Sequence, residues 1–137
     1  MSSVVRSNTG PSLPTLPQAC SICTSITCNI LRRSAKLYPT TIAIDDGREQ
    51  LTYQQLAERV DHCCEGFRSR ELLSGSRVVV LGYNSVDYAV MFFACARLGL
   101  VLVPVNAYLQ GAEIEWILKD CGAVAVMAGT DYIARLQ

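Results

Sequence analysis

Three stretches of the chain are apolar at almost every position: Val78–Leu81, Leu100–Val105 and Ala123–Ala128. A strand with one wet face would alternate apolar and polar residues, so these runs predict strands covered on both sides. Helical punctuation separates them. Asn84 or Ser85 can cap a helix over Val86–Leu98, with Asp87 in the first turn where the helix dipole favours an acid. Gly99 can take the left-handed conformation that stops it. A second helix over Ala112–Cys121 would bury Ile114, Ile117, Leu118 and Cys121 and close at Gly122. The pattern is therefore β(77–82)-α-β(100–105)-α-β(123–128), an α/β fold with three parallel strands and right-handed crossovers. Leu100–Val105, entered from a helix that is apolar on nearly every side, reads as the central strand.

Ahead of this core, Ile26, Ile30 and Leu37 fall at helical spacing within residues 25–37, with Arg32, Arg33 and Lys36 between them. That predicts an amphipathic helix with those three residues inward, a solvated cationic face, and a stop at Tyr38-Pro39. Strands over 41–44 and 50–53 flank Asp45-Asp46-Gly47 and form a hairpin. Thr52 opens a capping box with Gln55, starting a helix over 53–69. Its buried stripe is Leu56, Val60, Cys63 and Phe67, with Cys64 on the flank and His62 on the polar face. Residues 1–24 are rich in Ser, Thr and Pro without apolar periodicity, and read as a disordered tail before one domain spanning 25–137. Gly129-Thr130-Asp131 would cap a last helix over Tyr132–Gln137.

Composition narrows the class. Half of the 137 residues are hydrophobic, enough for one domain with a sizeable core. Net charge is zero, which argues against nucleic acid or an anionic membrane as an electrostatically driven partner. The charge is nevertheless uneven: Arg6, Arg32, Arg33 and Lys36 precede the first acid, Asp45. Ala89–Val105 holds a single charge, Arg97, over seventeen residues, but Gly99 and Pro104 fit a helix and strand better than a membrane span. Seven cysteines at irregular spacing suit reduced thiols in an intracellular, cytoplasmic protein. An organellar leader in residues 1–24 would need more arginine than Arg6 alone.

Candidate chemistry is sparse. Cys20-x-x-Cys23, with Cys28 beyond it, lacks the second pair that a structural zinc site requires. Gly82-Tyr83-Asn84-Ser85 follows a strand where a dinucleotide-binding turn would lie, but it is not G-x-G-x-x-G. No phosphate loop of the G-x-x-x-x-G-K-[ST] type and no G-x-S-x-G nucleophile turn is present. His62 is the only histidine, so a Ser-His-Asp arrangement has no base on the buried side.

The order of four segments resembles the N-terminal part of the AMP-forming (adenylate-forming) synthetase/ligase superfamily, most closely its acyl-CoA synthetases. Leu51-Thr52-Tyr53-Gln54-Gln55-Leu56 is similar to that family's L-T-Y-x-E-L motif. Gly75-Ser76-Arg77-Val78 with Asn84 resembles its G-D-R-V strand and following asparagine, with Ser76 in place of Asp. Ala96–Asn106 resembles its second core motif, and Val103-Pro104-Val105-Asn106 is nearer to acyl-CoA synthetases than to amino-acid-activating members. Glu113–Leu118 resembles the E-L-x-x-I-L helix that follows. The resemblance spans about Ser25 to Gly129.

It implies an incomplete N-terminal subdomain of a ligase that joins a carboxylic acid to ATP and then to coenzyme A. The family's Ser/Thr/Gly-rich phosphate loop, nucleotide contacts and catalytic lysine match nothing up to Gln137. The resemblance therefore assigns no catalytic, cofactor-binding or metal-ligating residue here. ATP, Mg²⁺ and CoA are implied only for a complete member, and the chain alone is expected to be inactive. The alternative is a stand-alone, non-catalytic module that associates through an open sheet edge. Either way, a three-stranded parallel sheet with unprotected edges predicts a marginally stable or aggregation-prone chain.

Overall fold

The computed structural model describes residues 26–129 and Tyr132. Helix α1 covers Ile26–Leu37, and strands β1 (Ile42–Asp45) and β2 (Gln50–Thr52) form an antiparallel hairpin. Helix α2 (Tyr53–Arg68) starts from a complete capping box, with Thr52 Oγ accepting the Gln55 N–H at 3.3 Å and Gln55 returning its side-chain oxygen to the Thr52 N–H at 2.9 Å. Strand β3 (Arg77–Leu81), helix α3 (Val86–Leu98), strand β4 (Val101–Val105), helix α4 (Gly111–Cys121) and strand β5 (Ala125–Ala128) complete the described fold. The predicted tail and the predicted final helix, Tyr132 apart, lie outside the described residues, as do Cys20 and Cys23.

The three parallel strands lie in the order β4-β3-β5. The chain steps from β3 to one neighbour and then crosses back to the other. Connections of one hand then place α3 and α4 on opposite faces. The core divides accordingly. Val78 and Ala125 join α1, α2 and α3 on one face through Leu31, Val60, Cys64 and Ala94. Val79, Leu81, Val105 and Val126 pack with Ile114 of α4 on the other. The result is a three-layer α/β arrangement, with the hairpin set beside α2.

Three expectations need correction. The central strand is β3, buried from Val78 to Leu81, and β4 lies at the edge with Val101 and Pro104 exposed. Apolar content alone cannot rank strands within a sheet, but Pro104 carries the information. The Val101 N–H donates to the Ser76 carbonyl at 2.9 Å, so Val101, Val103 and Val105 turn their backbone groups toward β3. Leu102 and Pro104 therefore face the open edge, where a proline needs no ladder partner for its missing N–H.

Second, α1 is rotated. Leu31 is its buried anchor, whereas Ile30 and Leu37 are 58% and 56% exposed. Both α2 and α3 pack against α1, and Leu31 joins their common core. Third, Cys64 rather than Cys63 belongs to the fully buried stripe of α2, with Leu56, Val60 and Phe67. Cys64 Sγ meets the Ala94 carbonyl of α3 at 3.8 Å, and Cys63 packs partly buried at the margin. α3 is also less enclosed than its composition suggests: Phe92 is 46% exposed and faces away from the core that holds Val86, Val90, Ala94 and Cys95.

Candidate functional site

Open α/β sheets hold ligands outside the carboxyl ends of their strands, where successive connections leave in opposite directions. In the order β4-β3-β5 that crevice lies between the loops following β3 and β5. Tyrosines fill it. The Tyr83 ring, after β3, lies 5.7 Å from Tyr132, after β5, and 5.9 Å from Tyr108, after β4, both edge to face. Tyr132 is buried and packs against Gly129, where an added Cβ would come within 3.3 Å of the ring. The Tyr132 N–H donates to the Gly129 carbonyl, whose own N–H reaches the Leu81 carbonyl at 3.2 Å. Tyr83 and Tyr108 stay exposed, and a hydrogen bond between their hydroxyls raises the Tyr108 phenol above its ordinary 10.0.

The neighbouring polar groups are already engaged. Asn106 Oδ1 accepts the Tyr108 N–H at 3.0 Å, and the Glu113 carboxylate accepts the Gln110 N–H at 2.8 Å. At the start of α3, Ser85 Oγ accepts the Tyr88 N–H at 3.1 Å. The most telling contact is Asp46 of the hairpin turn. Its Oδ2 accepts the Val86 N–H at 3.0 Å, while Oδ1 accepts the Arg48 and Glu49 N–H groups at 2.9 Å each. These bonds, that of Val86 foremost, hold the Asp46 carboxyl at about 2, against an ordinary 3.8.

A helix N-terminus beside a switch point is where a nucleotide phosphate would sit. Here a carboxylate of the protein itself takes that position. Among the described residues these loops add phenols and amides but no cation to offset phosphate charge. Among the described residues, no group of three or more His, Cys, Asp or Glu is placed to hold a metal. The described residues thus do not fit a triphosphate or its magnesium ion.

His62 lies on the exposed face of α2 with Glu65 as its neighbour at 3.6 Å, remote in role from the strand ends. Two of the thiols, Cys63 and Cys95, are equally unsuited to nucleophilic work. Burial pushes Cys95 up to about 12, and burial together with the nearby Asp87 carboxylate pushes Cys63 up to about 11, so both stay protonated near neutrality. Sequence reasoning singled out neither the tyrosine cluster nor Asp46. A signal for the first was present, since each tyrosine follows an all-apolar strand within one short loop. Asp46 gave none, because its partner Val86 lies forty residues away.

Comparison with known proteins gives this arrangement its context. The family described as AMP-binding enzyme matches residues 31–137. Feruloyl-CoA synthase of an Amycolatopsis species is 37% identical over 91 residues, covering 66% of this chain and 18% of its own. Indoleacetate–CoA ligase of Aromatoleum aromaticum is 34% identical over 105 residues, covering 77% of this chain and 21% of its own. The N-terminal domain of FACL13 from Mycobacterium tuberculosis superposes with a TM-score of 0.76 at 28% identity, over 80% of this chain and 28% of that domain. The chain spans about a fifth of the length of the curated relatives it matches. With the four motif segments falling on β2–α2, β3, α3–β4 and α4 in the family's order, the chain belongs to the AMP-binding enzyme family.

Proposed function

We propose that these residues are the opening scaffold of an acyl-CoA synthetase-like ligase, in which a carboxylic acid and ATP give an acyl-adenylate and pyrophosphate, and CoA then displaces AMP as a thioester forms. The family match over 31–137 carries this reading, and the relatives named as CoA ligases support it. In it, residues 25–137 are part of one larger domain, preceded by the tail of residues 1–24. ATP, Mg²⁺ and CoA are held by parts of the longer protein, and no step of the reaction runs through a group described above. The reduced thiols at Cys63, Cys64, Cys95 and Cys121 support a reducing, cytoplasmic setting. No described helix is long and apolar enough to cross a membrane.

The test is the intact mass of the native product, detected through a peptide from residues 45–137, followed by acid-dependent exchange of pyrophosphate into ATP. A product well above 15.0 kDa that catalyses exchange, beside a 137-residue chain that does not, is the expected result. Exchange by the 137-residue chain alone refutes the scaffold reading. A second reading, a non-catalytic module acting through its sheet edge, is favoured by one observation: Leu102 and Pro104 of β4 face an edge that no described strand covers. A native product of 15.0 kDa that co-purifies with a partner would select it.

A further inference from the structure

The rotation of α1 leaves a surface that its role in the core does not use. With Leu31 turned inward, Ile30, Arg33 and Leu37 line up at i, i+3 and i+7 along the outward side, and Lys36 and Arg32 flank them. Tyr38 continues the row beyond the helix and is also exposed. Among the described residues no carboxylate pairs with any of the three cations, although other basic residues do find acids: Arg59 with Glu49, Arg97 with Asp61, and Lys119 with Glu115. Arg32 reaches only the Asn29 side-chain oxygen, at 3.4 Å. The whole chain up to Ile44 contains four basic residues and no acid, so the neutral total conceals a cationic N-terminal third.

We propose that this face of α1 docks on an anionic membrane surface. Aliphatic side chains interleaved with unpaired cations, ended by a tyrosine, are what a helix lying in the headgroup plane presents: the apolar groups enter the acyl boundary and the cations meet lipid phosphates and carboxylates. An acidic protein partner would use the same charges; the interleaving of Ile30 and Leu37 with the cations along one outward row, closed by Tyr38, favours the headgroup plane. Docking leaves the strand ends free and involves no spanning segment. It does not depend on the ligase reading.

Flotation of the native product that carries these residues tests it, using vesicles of phosphatidylcholine alone and of phosphatidylcholine with phosphatidylserine. Selective binding to the serine-containing vesicles is expected, weakening as salt is raised. Each cation near such a surface contributes roughly fivefold, so the triple variant Arg32→Gln/Arg33→Gln/Lys36→Gln should lose binding on the order of a hundredfold. Ile30→Ser/Leu37→Ser should lose severalfold, and Lys119→Gln should bind as the parent does. All the altered side chains are exposed, and unchanged circular dichroism checks that each variant folds. Equal binding to both vesicle types, or a triple variant that binds like the parent, overturns the proposal. So does a double variant that binds like the parent while soluble polyglutamate displaces the vesicles, which would identify an acidic protein partner instead.

Discussion

Gly99 joins the end of α3 to the start of β4, and replacing it with alanine tests how that joint is held. Its φ of 67° and ψ of 25° are left-handed, and its N–H closes the helix on the Cys95 carbonyl. Its own carbonyl accepts the Gly75 N–H at 2.7 Å and Ser74 Oγ at 3.3 Å, tying the helix end to the turn before β3. An alanine here pays for the left-handed backbone, about 1–2 kcal/mol. Its Cβ would also lie 2.5 Å from Ser74 Oγ and 3.4 Å from Ser74 Cβ. The exposed hydroxyl must rotate away and give up its bond, at a cost of about 0.5–1 kcal/mol. Gly99→Ala should therefore lose about 1.5–3 kcal/mol, the sum of the two costs. In a Ser74→Ala background the clash is absent, and the same substitution should lose only about 1–2 kcal/mol. Pulse proteolysis in urea reads both differences on dilute samples. Equal losses in the two backgrounds would refute the clash, and a loss under about 0.5 kcal/mol in either would refute the backbone cost as well.

Other substitutions test the remaining contacts. Leu31→Ala should cost about 2–4 kcal/mol by opening the core beneath α1, and Ile30→Ala less than about 0.5 kcal/mol; the reverse order in the same proteolysis assay would restore the inward stripe read from the sequence. Because the folded Asp46 carboxyl is held at about 2, its contribution is complete above 3.8 and is lost as pH falls from there through about 2. The parent should thus lose more stability across that interval than Asp46→Asn does, as followed by circular dichroism; parallel acid profiles would refute the link to Val86. Tyr83→Phe removes the hydroxyl partner of Tyr108, so ultraviolet titration should show the Tyr108 phenol moving down toward 10.0.

Most element boundaries were legible because turns and caps are local. Thr52 with Gln55, Ser85, Gly99 and Gly122 each mark an end within a residue or two of where the structure places it. What stayed hidden depends on neighbours distant in sequence. Leu100–Val105 is as apolar as a central strand because apolarity reports burial of side chains, not the pairing of backbone edges; only Pro104 hinted at the edge. The stripe Ile26-Ile30-Leu37 has helical spacing, yet two helices meeting on the other side of α1 decided that Leu31 goes inward. The site was the least legible part. Its tyrosines meet only because the strand order interleaves, and Asp46 reads as a solvated turn acid until the hairpin is set against the start of α3.

The position of β3 between two later partners also shapes how the chain is made. Val78 pairs with Leu102, 24 residues downstream, and with Ala125, 47 downstream. Doubling a loop adds only about 0.6 kcal/mol to its closure, so entropy hardly favours one partner over the other. Synthesis imposes the order instead. At about 5–20 residues per second, β3 leaves the ribosome roughly one to five seconds before β4 can reach it, and β5 takes about as long again. Through that interval Val78–Leu81 has helices to shelter one face only, α1 and α2 from the start and α3 as it emerges, with Arg77 as the charge beside it. The strand that ends up most protected is thus the one exposed longest on a nascent chain.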